Sequence, residues 1–454
     1  MDNIMMMLTG AWDNFFIFVL AFVLVLSLLV FVHEWGHYIV AKMCGVKITA
    51  FSIGFGPELF GFNDKSGTRW RVAAIPLGGY VQMFGDADPS SSTKSEDAKE
   101  LTDDEKSVAF YHKPLWQRAA IVFAGPGINF LFAILLYLGL FVSVGQPVTP
   151  PVVSAVVMDS AAQKAGFEPY DKILSINNTK ITRFEDIQRE IMVALDTKTS
   201  ITFERDGEVI TFDSVYPERK EIEDRFGFKQ SRGVLGIIGP RNELSLQEVS
   251  AVNGQSVANI QEAKRAISNA IGAPMTLSMP TKTDEKAAVY INPSKELNSA
   301  LMEDDTSTLT LFDLEERNMF IKHGFLSAVT ESFKETGSVV MNTFEALGQM
   351  VTGVRSAEEL GGIIRIGAIA GDAAQSGLIA LIAFTALLSI NLGLINLFPI
   401  PVLDGGHLLF YAIEGLKGSP ISEKTQNYAF RFGLFLLIGL MLFANLNDLI
   451  QLGR

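Results

Sequence analysis

Four long apolar segments constrain this chain more than any other feature of its sequence. A helix needs about 20 residues to cross the roughly 30 Å hydrocarbon core of a bilayer, and each segment is long enough. The chain is 48% hydrophobic with a mean hydropathy of +0.27, which fits a membrane protein with a sizeable polar part. We therefore predict a polytopic α-helical membrane protein with four transmembrane helices. The segments run from about Phe15 to beyond His37, Ala119 to Val144, Leu378 to Phe398, and Tyr428 to Leu446.

The distribution of Lys and Arg predicts the orientation of these helices, because short cytoplasmic loops carry an excess of both residues. The segment between the first two spans and the loop between the last two are both basic, so we expect both to be cytoplasmic. The long segment from about residue 145 to 375 then lies on the opposite side. The basic residues are Lys47, Lys65, Arg69, Arg71, Lys94, Lys99, Lys106 and Lys113 in the first segment, and Lys417, Lys424 and Arg431 in the second.

The formal charge argues against one class of partner. The chain carries a net charge of −13, and nucleic-acid-binding proteins usually present a basic surface. We therefore expect no nucleic-acid partner. The single cysteine, Cys44, excludes an intrachain disulfide.

The segment after the first span has the composition of strands and not of a helix. "VKITAFSIGFGPELFGF" and "GTRWRVAAIPLGGYVQMFG" predict short strands separated by glycine turns. Residues 72–83 are apolar but are interrupted by Pro76, Gly78 and Gly79. We predict a membrane-associated β-hairpin that dips toward the bilayer, buried against protein as irregular backbone must be.

Residues 150–215 predict a soluble module with a strand, a short helix, a second strand, an amphipathic helix and a hairpin that turns at Asp206 and Gly207. This order resembles a PDZ domain. "EVSAVNGQSVANIQEAKRAIS" resembles the second half of the same module, which predicts a second, truncated PDZ-like unit; one decorated domain is the alternative. The residues that carry the resemblance are Ala161, Ala162, Ala165, Gly166, Asp171, Ile173, Leu174, Ile176 and Asn177, and then Ser250, Val252, Asn253 and Gly254.

These patterns divide the chain into five predicted segments, in which α+β PDZ-like domains are inserted between two pairs of spans. In residues 324–353 the apolar side chains recur at helical spacing, which suits a helix lying on the membrane surface or packed on the spans. The predicted segments are 1–145 with the first two spans and the hairpin, 146–240 and 241–305 with the PDZ-like units, 306–375 with an amphipathic membrane-surface helix, and 376–454 with the last two spans.

The motif "HEWGH" at the end of the first span predicts metal chemistry. His33 and His37 are four residues apart, so their imidazoles lie on one face of a helix and can bind one zinc ion. Glu34 between them would be the general base that activates water. The chain has only five histidines, two of them here, and ionisable residues in an apolar span are usually functional.

A catalytic zinc usually has three protein ligands, and the best third candidate lies after the third span. In "NLFPIPVLDGGH" Asp404 is the only acid. Pro399 and Pro401 prevent a regular helix, and Gly405 and Gly406 allow close approach of the backbone. We therefore expect the broken backbone to hold Asp404 toward the first helix. His407 is a weaker candidate, as a ligand or as a group behind the ligands.

HExxH at the end of the first span, together with NxFPxPxxDGGH at the end of a late span, resembles the site-2 protease family of intramembrane zinc metalloproteases. The chain is most similar to the bacterial regulator-of-sigma-E protease type, and "FSIGFGPELF", "IPLGGYV" and "AGPGINF" also resemble family elements. The resemblance implies His33, His37 and Asp404 as zinc ligands and Glu34 as the catalytic acid/base. Asn129 and Asn396 match family asparagines near the site. "LGGIIRIGAIAG" before the third span departs from the pattern, as does the incomplete second PDZ-like unit, which leaves substrate gating open.

This resemblance implies an enzyme of the bacterial inner membrane, with its PDZ-like region in the periplasm and its active site toward the cytoplasm. The expected substrates are single-pass membrane proteins already trimmed outside, such as anti-sigma factors, and leftover signal peptides. We expect Asn129 or Asn396 to donate to the substrate backbone or the oxyanion. An unwound substrate would add as a strand to the hairpin near Gly78, Gly79 and Tyr80.

Two other classes of function stay open at this point. The chain could be a catalytically inactive membrane adaptor that presents PDZ modules. It could also be a metal transporter that uses the HExxH residues for passage, although a transporter predicts more polar residues along several spans.

Overall fold

The computed structural model describes residues 2–85, 102–147, 149–223, 226–240, 244–279, 287–303, 306–312 and 320–452. Within these residues, four helices are long and apolar enough to cross a membrane: Phe18–Met43 of α1, and α3, α9 and α11. The predicted number of spans is confirmed. The helices are α1 Asp2–Met43, α2 Asp103–Val108, α3 Leu115–Ser143, α4 Ala161–Ala165, α5 Phe184–Val193, α6 Ile260–Ala270, α7 Phe325–Val351, α8 Ile363–Ser376, α9 Leu378–Asn396, α10 Asp404–Lys417 and α11 Glu423–Leu452.

The chain forms two compact units. The membrane unit comprises Met1–Val142, Gly324–Phe344 and Leu360–Arg454, and the inserted unit comprises Ser143–His323 and Glu345–Glu359. The strands are β1 Ile48–Asn63, β2 Arg69–Met83, β3 Gln146–Pro147, β4 Ala155–Val157, β5 Lys172–Ile176, β6 Thr179–Lys180, β7 Thr199–Arg205, β8 Glu208–Val215, β9 Glu218–Glu223, β10 Lys229–Val234, β11 Ile237–Ile238, β12 Leu244–Ser245, β13 Ala251–Val252, β14 Gln255–Ser256, β15 Met275–Ser278, β16 Ala288–Ile291, β17 Thr308–Leu309 and β18 Phe320–Ile321.

In the membrane unit, α1 and α3 approach closely because glycines face the contact. A Cβ atom on Gly36 of α1 would lie 2.4 Å from the carbonyl oxygen of Ala124 of α3. A Cβ atom on Gly125 would lie 2.2 Å from Nε2 of His37. Small residues allow such close packing of membrane helices, where backbone approach and not hydrophobic burial drives association. The end of the first span is therefore held against the middle of the second.

The hairpin of the membrane unit is longer than predicted. The prediction of short strands is wrong, because β1 and β2 have 16 and 15 residues. Phe51 pairs with both Trp70 and Val81, and Phe60 pairs with Val72, so the two bent strands form four adjacent segments. The glycines at positive φ bend and bulge the strands without ending them, as residues with no Cβ can. These glycines are Gly54 (φ 90°), Gly56 (φ 88°) and Gly78 (φ 117°).

Helix α7 packs in the membrane unit through small residues. Its buried side chains are Ala328, Ser332 and Thr336, which recur every four residues and so share one face. Ala328 belongs to a buried cluster with side chains of α3 and α9. The aromatic residues Phe325 and Phe333 are 70% and 57% exposed. The membrane-surface position of this segment stays a prediction.

The inserted unit is built around a six-stranded sheet with the order β11-β4-β16-β15-β13-β14 and a four-stranded sheet with the order β6-β5-β7-β8. Helices α4 and α5 contribute buried residues to one hydrophobic core, and α6 contributes to a second. Val157 of β4 pairs with Val289 of β16. The six-stranded sheet thus combines strands from both sides of the predicted boundary at residue 240. The division of the inserted unit into two PDZ-like modules stays a prediction.

Candidate metal centre

His33 and His37 lie one turn apart on the same face of α1, as their spacing of four residues requires. Their Nε2 atoms are 3.3 Å apart. The two rings meet edge to face, with their centroids 4.9 Å apart. Both Nε2 atoms are therefore within reach of one metal ion.

Asp404 is the first residue of α10 and lies beside both histidines. Its Oδ2 atom is 3.2 Å from Nε2 of His33 and 3.5 Å from Nε2 of His37. In the part of the chain that the structure describes, these three side chains form a group whose ligand atoms all lie within 4.8 Å of one another. The structure thus brings together the two motifs that are most distant in the sequence.

This group fits a zinc ion. Two imidazole nitrogens and one carboxylate oxygen are a ligand set typical of catalytic zinc, which keeps a further position open. The Oδ2 atom of Asp404 is buried and lies within 3.5 Å of both Nε2 atoms. A buried carboxylate is costly unless a cation lies beside it. The chemistry of the residues present therefore agrees with the expected metal.

The position of Asp404 depends on the two glycines that follow it. A Cβ atom on Gly405 would lie 2.3 Å from the carbonyl oxygens of both Leu397 and Phe398. A Cβ atom on Gly406 would lie 2.5 Å from the carbonyl oxygen of Ile400. The first turn of α10 therefore packs directly on the backbone that follows α9, and a side chain at either position would force this backbone to shift.

Glu34 lies between the metal-ligand candidates and the hairpin. The backbone N–H of Val81 in β2 donates a hydrogen bond to its carboxylate. A Cβ atom on Gly79 would lie 3.2 Å from Cγ of Glu34, so the hairpin backbone contacts this side chain. The carboxylate is thus close to both the ligand group and the end of β2.

The three hairpin candidates have different neighbours. Gly79 faces Glu34, as described above. Gly78 lies against the side chain of Phe55, and a Cβ atom on Gly78 would lie 2.4 Å from Cε2 of that ring. Tyr80 stacks on Phe55 at 6.2 Å, and the guanidinium of Arg71 lies 4.8 Å from the centre of its ring. Only Gly79 touches the site directly, and a substrate-binding role for all three stays a prediction.

The two asparagine candidates occupy different positions. Asn129 of α3 is fully buried, and its Nδ2 atom lies 3.1 Å from Nδ1 of His33. Asn396 is the last residue of α9 and is partly exposed. The structure thus brings Asn129 to the site, while Asn396 lies at the start of the segment that leads to Asp404. Contact of either residue with a substrate stays a prediction.

His407 is not part of the ligand group. Its imidazole packs against Phe430, with the ring centroids 5.2 Å apart. Burial lowers the pKa of His407. It also lines a cavity of about 70 Å³ together with the ion pair of Arg118 and Glu414. The structure therefore favours Asp404 over His407 as the third ligand candidate.

The backbone of α3 contributes to the site in a way that the sequence does not predict. Nδ1 of His37 lies 2.8 Å from the carbonyl oxygen of Ile121. Gly125 provides the space in which the His37 ring sits. The glycines and the proline of "AGPGIN" are the one signal in the sequence for such a close approach. A carbonyl that orients a histidine has no sequence signal, because every residue has one.

Comparison with known proteins covers nearly the whole chain. The model of peptidase family M50 matches residues 21–440. A protein of Agrobacterium fabrum named putative zinc metalloprotease Atu1380 is 38% identical over 450 residues, which cover 99% of this chain and 99% of that protein. The regulator of sigma-E protease RseP of Salmonella typhimurium is 35% identical, over 95% of this chain and 98% of its own length. The chain therefore belongs to peptidase family M50, and the resemblance inferred from its motifs is confirmed.

Proposed function

We infer that this chain, a zinc metalloprotease of peptidase family M50, hydrolyses peptide bonds within or near the transmembrane segment of single-pass membrane proteins. One observation carries this proposal. His33, His37 and Asp404 converge beside Glu34, and both histidines and the glutamate belong to a helix that is long and apolar enough to cross a membrane. A protease whose reactive groups lie on such a helix is suited to substrates that reach it in the bilayer.

We assign the zinc ligands to Nε2 of His33, Nε2 of His37 and the carboxylate of Asp404. When bound, zinc supplies a Lewis acid that polarises the scissile carbonyl and makes water acidic enough to attack near neutral pH. The protein's own contribution is to hold these three ligand atoms together and to keep the site out of bulk water.

Glu34 is the proposed acid/base. Its carboxylate takes a proton from the attacking water as the oxygen bonds to the scissile carbonyl carbon. It then gives this proton to the amide nitrogen as the C–N bond breaks, so one product leaves as an amine and the other as a carboxylic acid. The hydrogen bond from the Val81 amide fixes the carboxylate beside the hairpin.

We propose that the substrate binds in an extended form. A helix hides its peptide bonds, so the segment to be cut must unwind before attack. The strand edge at Gly78, Gly79 and Tyr80 offers backbone groups that satisfy an unwound segment in an apolar setting. Asn396, partly exposed at the end of α9, is the candidate donor to the substrate backbone. The contact of Gly79 with Glu34 supports this arrangement.

The proposed substrates are anti-sigma-factor-like proteins after ectodomain trimming, and remnant signal peptides, in regulated intramembrane proteolysis. Support comes from the relative named regulator of sigma-E protease. The distribution of Lys and Arg supports an inner-membrane orientation with the active site toward the cytoplasm. The inserted unit would then be periplasmic. We propose that its α+β modules are PDZ-like and exclude substrates that still carry a folded ectodomain.

Replacing Glu34 tests this proposal. We expect Glu34→Gln to abolish cleavage of a model single-pass substrate in proteoliposomes, because glutamine has the same shape but cannot accept the proton. The measurement is the product formed, followed by gel electrophoresis and mass spectrometry. Zinc content and thermal unfolding of the variant should match those of the parent protein.

Glu331→Gln is the matched control. Glu331 pairs with Lys334 on α7, and we expect its loss to leave cleavage unchanged. Cleavage that persists in Glu34→Gln would contradict the mechanism. If neither the parent nor the control cleaves any membrane substrate, the alternative function, a catalytically inactive membrane adaptor, is favoured.

A further inference from the structure

The outer nitrogens of both histidines face α3. Nδ1 of His37 lies 2.8 Å from the carbonyl oxygen of Ile121, and Nδ1 of His33 lies 3.1 Å from Nδ2 of Asn129. Ile121 and Asn129 are both fully buried. They are about two turns apart on the same face of the helix. One helix therefore provides a partner for each imidazole, on the side away from Asp404.

The contact of His37 fixes its tautomer. A backbone carbonyl can only accept a hydrogen bond, so Nδ1 of His37 carries the proton. Its Nε2 atom then has the free lone pair that a metal requires. The backbone carbonyl of Ile121 thus orients His37 for metal binding, and no side chain is needed for this role.

The contact of His33 allows either tautomer, because a side-chain amide has both a donor and an acceptor. With Nδ2 of Asn129 toward the ring, the amide donates to Nδ1, and the proton of His33 lies on Nε2. That nitrogen is 3.2 Å from Oδ2 of Asp404. In this tautomer the proton occupies Nε2, so His33 cannot bind a metal through that nitrogen.

A half-turn of the Asn129 amide gives the other tautomer. Its Oδ1 atom is buried and has no hydrogen-bond partner. The oxygen and nitrogen of an amide have nearly the same size, so exchanging them needs no change in packing. Oδ1 then accepts from Nδ1–H of His33, which leaves the lone pair on Nε2.

We propose that Asn129 is a positioning residue for His33, in which Oδ1 accepts a hydrogen bond from Nδ1–H so that the lone pair of Nε2 faces the zinc site. The inference rests on the proposed zinc site. It gives the buried Oδ1 atom of Asn129 a donor in His33. It also explains the use of an amide, which can serve both tautomers, where a carboxylate could only accept.

The alternative role, a hydrogen bond to the substrate, agrees less well with the surroundings of Asn129. The residue has no exposed surface. Its backbone carbonyl accepts a hydrogen bond of 2.8 Å from Oγ of Ser389, so it is enclosed between α1 and α9.

Zinc affinity tests the proposal without relying on activity. The full-length protein and its variants would be equilibrated with a series of zinc concentrations buffered by a chelator, and bound zinc would be measured. We expect Asn129→Leu to bind zinc about 10- to 100-fold more weakly, which is the usual cost of losing an outer partner of a ligand. Asn129→Asp should stay within a few-fold of the parent protein, because a carboxylate also accepts from Nδ1–H.

Asn391→Leu is the matched control. Asn391 lies on α9 and bonds to Thr343, so its loss should leave zinc affinity unchanged. If leucine at position 129 prevents folding, Asn129→Ala repeats the test with a smaller side chain. Parent-like affinity in the apolar variant would overturn the proposal. So would an equal loss in the aspartate and apolar variants, since that would show that the amide N–H is what matters.

A failure of the proposed function gives a different result. In that case the His33→Ala variant would bind as much zinc as the parent protein. The two failures are therefore separated by one further variant in the same titration.

Discussion

On the α1 side of the candidate metal centre, each imidazole has a hydrogen-bond partner in α3 behind it, whereas the Oδ2 atom of Asp404 on the α10 side faces the two imidazoles themselves. The imidazoles are oriented by specific polar atoms of α3. Asp404 is positioned by the shape of its backbone, because Gly405 packs on the carbonyls that follow α9.

This difference predicts how the two sides respond when the metal is absent. The contacts with Ile121 and Asn129 are made by the imidazole nitrogens that face away from the metal site, so the rings keep their orientation without a metal. The buried carboxylate oxygen of Asp404 faces the metal site itself and gains the most from a cation. We therefore expect metal removal to affect the α10 side first.

Of the substitutions that test this difference between the two sides, removal of the Asp404 carboxylate should have the largest effect. We expect Asp404→Ala to weaken zinc binding by more than about 100-fold, beyond the usual cost of losing an outer partner, because a direct ligand is lost. Cleavage should cease. The measurement is bound zinc at a buffered zinc concentration, with Asp104→Ala on the surface of α2 as the control. Zinc binding equal to that of the parent would exclude Asp404 as the third ligand.

Replacing Gly405 with alanine adds one methyl group. This substitution tests whether the packing of the backbone positions Asp404. The new Cβ atom would overlap two carbonyl oxygens, so we expect Gly405→Ala to lower the free energy of unfolding by about 1–3 kcal/mol. Zinc affinity should fall at least tenfold as Asp404 moves. Thermal unfolding and zinc titration report the two effects.

The matched control is Gly415→Ala on the same helix. A Cβ atom there meets only the tip of Leu115, at 3.3 Å. If Gly405→Ala behaves like this control, packing of the first turn of α10 does not position Asp404.

The smallest effect is expected for the hairpin of β1 and β2. This hairpin contacts α1 through polar side chains at Tyr38, one residue beyond His37. The Asp64 carboxylate accepts hydrogen bonds from Tyr38 (3.3 Å), Trp70 (3.1 Å), Ser66 (2.8 Å) and Thr68 (2.9 Å). Although burial tends to raise the pKa of Asp64, the hydrogen bonds from Ser66, Trp70 and Thr68 hold this pKa below its usual range. The charged form is therefore favoured by folding.

A lowered pKa in the folded state gives stability that is present above the unfolded value of about 4 and is lost as the pH falls below it. We expect Asp64→Asn to cost about 1 kcal/mol at pH 7 and to remove this part of the acid sensitivity. Thermal unfolding at pH 7 and near pH 3 measures both. Glu58→Gln, which breaks an exposed ion pair with Arg69, should cost less. An unchanged pH dependence in Asp64→Asn would show that other groups control it.

The spans and the HExxH half of the site could be predicted because their signals are local. Apolar length predicts a span, and a spacing of four residues places His33 and His37 on one face whatever the rest of the chain does. Asp404 was predicted because it is the only acid in its segment and because of the family resemblance. The distance between the two halves of the site could not be predicted from the sequence.

The partners behind the ligands could not be predicted, since they depend on how α1 crosses α3. Asn129 was recognised as a site residue, but its contact with His33 follows from the close approach at Gly36 and Gly125. The length of the hairpin strands was also missed. Glycine usually ends a strand, and its use as a bulge at Gly54 and Gly56 depends on the pairing around it.

The six-stranded sheet of the inserted unit has a consequence for how the protein is made. The partner of Val157 in this sheet is Val289. During synthesis the ribosome adds about 5–20 residues per second, so roughly 7–26 s separate the two. For that time one edge of β4 has no neighbour and is open to pairing with other chains. We therefore expect a nascent chain of this protein to be open to aggregation at this edge while the region between these two strands is being translated.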